Sequence, residues 1–124
     1  MTEVSVCVPN APEYLRVIRQ IAMVVGAKAD LLLDALDEGQ LASDEAANIL
    51  MKFAEPGASL NFEWETDPGV LHLRARTRCS LSHLPDLPET LGYAWVIISS
   101  ITSKLEIFLE NGEVHVDLSV ESAI

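Results

Sequence analysis

The chain has 124 residues, 49% hydrophobic and 22% charged, which is the composition of a folded domain and not of a disordered segment. A formal net charge of −11 opposes contact with bare nucleic-acid backbone, and no apolar run approaches the ~20 residues of a membrane span. A chain of this size buries roughly two-thirds of its unfolded surface, so one domain over residues 1–124 is expected. The N-terminal stretch MTEVSVCVPN has no basic region followed by a long apolar one, so no secretion signal is expected and a cytoplasmic protein is. The acidity has two readings: it keeps the protein in solution, or it suits a basic protein surface. Cys7 and Cys79 are expected as two reduced thiols.

In chain order, residues 2–8 alternate. Thr2, Val4, Val6 and Val8 form one face of a half-buried strand, with Glu3, Ser5 and Cys7 on the other. A helix then starts near Asn10 as cap, with Pro12 in its first turn. Tyr14, Val17, Ile18, Ile21, Val24 and Val25 make its apolar stripe, and Gly26 stops it. A second helix covers 29–55, with a break or kink expected near Gly39. Its later half turns Ala42, Ala46, Ile49, Leu50 and Phe53 to one side, which leaves Asp44 and Asn48 away from it.

Two alternating segments follow, residues 60–66 and 70–79, joined at DPG. They point Leu60, Phe62, Trp64, Leu71, Leu73, Ala75 and Thr77 inward. His72, Arg74, Arg76 and Arg78 share the outward face, where an antiparallel hairpin brings them beside Glu63 and Glu65. This basic row is therefore either ordinary cross-strand charge pairing or a partner-docking patch. After a loop over 79–88 and a helix over 89–104, strands from Leu105 and to Glu121 close the chain around an Asn-Gly turn. Every strand is apolar on one face only. The fold class expected is α+β: a two-layer sandwich of a five-stranded, largely antiparallel or mixed sheet with helices on one face.

The stretch VPNAPEYLRVIR (8–19) followed by SDEAANIL (43–50) resembles the bacterial anti-sigma-factor serine/threonine kinases of the GHKL ATPase superfamily, with the Bergerat fold of histidine-kinase-type ATPases. The likeness is residue-specific over 8–55 and extends to the rest as element order. It implies a partner-switching regulator of transcription. It also implies that Asn48 is a Mg²⁺ ligand for ATP and that Asp44, one methylene shorter than the family's usual glutamate, is the base toward a partner's serine. The plain alternative is that both residues are the solvated face of an amphipathic helix.

Two departures from the family pattern follow. The family's adenine-binding aspartate and glycines fall where this chain has Thr77 and Cys79, and of its second glycine-rich box only Gly92 remains, beside Glu89. The resemblance then implies a pseudokinase-like regulator with a degenerate nucleotide site and no cofactor, or Mg-ATP held by Asn48, Thr77 and Gly92 if the site is kept. The implied partners are a sigma factor or its antagonist, with a homodimer as a further expectation and neither nucleic acid nor membrane among them. Partner contact is expected around Asp44, Asn48 and the 79–88 loop, with Arg74, Arg76 and Arg78 second. Cys79 and His83 are spaced as two metal ligands but lack further ones, and His72 and His115 read as surface histidines.

Overall fold

A computed structural model describes residues 2–122. Within them, the alternating segments become strands β1 (Val4–Pro9), β2 (Ser59–Asp67), β3 (Val70–Arg78), β4 (Lys104–Glu110) and β5 (Glu113–Glu121). The helices are α1 (Leu15–Lys28), α2 (Leu33–Phe53), α3 (Leu87–Leu91) and α4 (Tyr93–Ile101), with a 3-10 turn at Pro12–Tyr14. The strands form one sheet in the order β1-β2-β3-β5-β4, every neighbour antiparallel. The α3–α4 segment carries the chain from β3 to the far edge, and β5 returns between β3 and β4.

The register lines the apolar residues up in rows. Val6, Phe62, Ala75, Val116 and Ile107 lie across the five strands, as do Val4, Trp64, Leu73, Leu118 and Leu105. These rows meet Ile18, Ala22 and Val25 of α1, Ala42, Ala46, Ile49 and Leu50 of α2, and Ile98 of α4 in one contiguous core. Phe62 and Trp64, stacked with centroids 5.8 Å apart, are fully buried in it. The helices cover one face of the sheet; the other carries polar side chains only partly withdrawn from water.

Five local features differ from the sequence-based expectation, the first being that residues 29–32 lie outside α2, which begins at Leu33. Asn10 does not cap the first helix: the 3-10 turn begins after Ala11 and no side chain accepts its first amides. Gly26 lies inside α1, where a Cβ would stand 2.9 Å from Leu36 Cδ2, so it permits close approach of α1 and α2. Gly39 leaves α2 unbroken, and a Cβ there would stand 3.0 Å from Leu71 Cδ2, so it is again a contact glycine. The helix expected over 89–104 is two helices. Gly92, at φ +57°, separates them, and Asp86 caps α3 by accepting from the Glu89 amide at 3.0 Å.

Candidate functional site

The acid and amide expected to carry chemistry sit in the middle of α2, four residues apart and on its outward side. They face outward because the opposite stripe of α2 is small and fully buried: Ala42, Ala46 and Ala47 let the helix lie low on the sheet. Between them in the chain, Ser43 is buried too. Its hydroxyl donates to the Gly39 carbonyl at 2.8 Å and accepts from Trp64 Nε1 at 3.5 Å.

Asp44 is half-buried and engaged. Arg19 Nε of α1 donates to its Oδ1 at 3.1 Å, tying the two long helices together. Asn48 is exposed, and its side chain makes no hydrogen bond among the described residues. Its neighbour Glu45 has a carboxyl pushed above the usual range, first by burial and then by the Asp44 charge beside it. Glu45 is a third polar group of this patch that the acid–amide spacing did not point to. The signal for it was the consecutive pair of acids in SDEAAN.

Thr77 takes no part in that patch. It lies at the C-terminal part of β3, is fully buried, and donates from its hydroxyl to the Ser59 carbonyl of β2 at 2.9 Å. Cys79 is buried next to it, with its backbone bridged to Ala54 just after α2. Gly92 is exposed between α3 and α4. Since α4 packs on α2, the segment from residue 80 to Gly92 shares the helical layer with Asp44 and Asn48. Tyr93, 78% exposed, and Val96, 58% exposed, leave an apolar flank on that layer.

The arginine row lies on the other side of the sheet. Arg76 reaches Glu63 at 3.2 Å and Glu113 at 3.7 Å, Arg78 reaches Glu55 at 3.0 Å, and Arg74 stands 3.8 Å from Glu65. The same face holds His72, within 2.7 Å of Ser119 Oγ and 3.0 Å of Asp67 Oδ2, and His115, stacked on Phe108 at 4.8 Å. Shallow depressions lined by Glu63, His72, Arg74, Arg76, Lys104 and Asp117 run across it. Asp117 is the discordant member: its Oδ1 is buried without a hydrogen-bond partner among the described residues. Burial raises its carboxyl pKa against the opposing pull of His115 and Arg74.

Thus Asp44 and Asn48 lie on the outward side of α2, α4 packs on the same helix, Thr77 is shut in the core beneath, and Arg74, Arg76 and Arg78 lie on the other side of the sheet. Among the described residues no three side chains of His, Cys, Asp or Glu are placed to hold a metal ion, and no helix is long and apolar enough to cross a membrane. Asn48, exposed on α2, offers a hard cation a single amide oxygen. No protein-family model matches this chain, and no curated protein sequence does.

Proposed function

We propose that the chain is a regulatory binding protein of the anti-sigma-factor kind, working in the bacterial cytoplasm by protein–protein contact in a partner-switching system. In this reading its nucleotide site is degenerate. The supporting observation is the state of the two groups that the family likeness would put to work on ATP. The Thr77 hydroxyl donates to a backbone carbonyl inside the core, and Oδ1 of the Asp44 carboxylate accepts from Arg19. A purine needs a polar group presented to a cavity, and a general base needs a lone pair within reach of the substrate hydroxyl. What the helical layer offers instead is a mixed surface. Exposed Asn48, half-buried Glu45 and the apolar flank of Tyr93 and Val96 suit a protein partner with basic and apolar side chains. A sigma factor or its antagonist is the class of partner this reading requires.

The alternative is an active protein serine kinase, which the exposure of Asn48 on the same side as Asp44 favours. Isothermal titration with Mg-ATP separates the two. The binding-protein reading expects no saturable heat up to millimolar nucleotide. Saturable micromolar binding that Asn48→Ala abolishes would establish the kinase reading in its place.

A further inference from the structure

The register brings a serine, a histidine and an aspartate together on the open face of the sheet. Ser119 of β5 lies directly opposite His72 of β3 and, on its other side, opposite Lys104 of β4. Its Oγ is 2.7 Å from His72 Nδ1, and His72 Nε2 is 3.0 Å from Oδ2 of Asp67 at the end of β2. A carboxylate only accepts, so in the neutral imidazole Nε2 carries the proton and donates to Asp67. That leaves the Nδ1 lone pair to accept from the Ser119 hydroxyl. A hydroxyl aimed at a base, with the base held by an acid, is the arrangement that activates a serine. No local motif announces it, since 47 residues separate His72 from Ser119.

A place for a substrate adjoins the three. Ser119 is 6% exposed, and with His72, Arg74, Lys104 and Asp117 it lines a depression of about 180 Å³. That is below the ~300–1,000 Å³ of sites for drug-sized ligands, so it suits a short acyl group. Arg74 stands 3.8 Å from Glu65 and Lys104 stands 3.9 Å from Glu106. Both distances exceed a hydrogen bond, which leaves N–H donors to turn toward a developing oxyanion. Glu63, Glu65 and Asp117 around the depression, on a chain of net charge −11, disfavour an anionic ester.

We propose that Ser119, His72 and Asp67 form an acyl-transfer centre on the open sheet face that hydrolyses small uncharged carboxylic esters. Ser119 Oγ bonds to the ester carbonyl carbon as its proton passes to His72 Nδ1. The carbonyl π pair moves onto oxygen, beside Lys104 and Arg74. Collapse of this intermediate breaks the bond to the alcohol oxygen, which takes the proton back from His72 and leaves. Water then repeats the sequence on the acyl-Ser119 ester, releasing the carboxylic acid and restoring the serine. Ser119 and His72 are the catalytic residues and Asp67 positions the imidazole. The inference is independent of the regulatory reading above, and neither nucleotide nor protein partner enters its test.

The full chain should hydrolyse 4-nitrophenyl acetate with saturation, and Ser119→Ala and His72→Gln should each lower the rate about 100-fold at an unchanged thermal melt. Asp67→Asn should lower kcat about fivefold and leave KM unchanged, as expected for an exposed pair that acts through the imidazole. Cys7→Ser should keep the wild-type rate, which sets aside the exposed thiol as the nucleophile. A fluorophosphonate should lose fluoride and leave its phosphonyl group on Ser119 of the wild-type protein, located by peptide mass spectrometry. That readout stands whether or not the variants fold. Label on another residue or on none, Ser119→Ala as fast as wild type, or an unchanged kcat in Asp67→Asn would each overturn the proposal.

Discussion

The two faces of β3 show how differently one strand can be used. On the helical side Leu71, Leu73, Ala75 and Thr77 are all at most 1% exposed, the first three within the contiguous core. On the other side His72, Arg74, Arg76 and Arg78 alternate with them, bound into pairs that water still reaches. The first face owes its stability to excluded water and close packing, which is large and sensitive to shape. The second owes it to charge pairs that salt screens, which is small and tolerant. A functional surface can change on the second face, or on the outer flank of the helices, without unfolding what lies beneath.

The sharpest way to break the comparison is to remove a large side chain from the packed face. Trp64→Ala leaves a void between β2 and α2 and strips Ser43 of its donor, and should cost about 3–5 kcal/mol in chemical denaturation. On the open face a substitution can instead raise stability. Asp117→Asn should melt higher than wild type at neutral pH, because it removes a carboxylate whose Oδ1 is buried without a partner among the described residues.

The pH dependence of that gain follows from the raised pKa. A carboxyl raised in the fold binds its proton more tightly folded than unfolded, so wild-type stability falls as pH rises from the ordinary aspartate range through the raised value. The advantage of Asp117→Asn should therefore grow across that window, hold constant above it, and shrink toward acid. Melting curves of both proteins across pH check this; an advantage that grows toward acid would refute it. The smallest effect should come from the arginine row. Arg76→Ala should cost no more than about 1 kcal/mol and should lose half or more of that by 1 M salt, measured by denaturation at two ionic strengths.

The strands were legible because their signal is local. One buried face imposes a period of two, and β2, β3 and β5 each show it over at least seven residues, so that even the inward set was readable from the sequence. The start of the second helix was not legible. Residues 29–32 look helical by composition, yet Asp30 takes φ +59°, the Gly69 amide donates to the Ala29 carbonyl at 2.8 Å, and the Leu32 amide donates to Ser122 Oγ at 2.9 Å. Hydrogen bonds with partners forty and ninety residues away hold the connection open. The break at Gly92 could have been read from Asp86-x-Pro88-Glu89, a capping pattern that places a separate helix start inside the expected loop.

For the site, the outward placement of Asp44 and Asn48 followed from helical spacing alone. That Arg19 closes over Asp44 did not, since it depends on the crossing of α1 and α2, which Gly26 permits.

By itself the sequence determined which face of every strand is apolar, that the helices lie on one side, and that Asp44 and Asn48 point away from the core. Those properties repeat with the period of the local backbone, and burial of one face enforces them. Only the tertiary structure decided that β5 lies between β3 and β4, that Thr77 turns its hydroxyl to Ser59, and that β1 is left as an uncharged open edge. Each depends on which segments meet across the fold, and no local period encodes that.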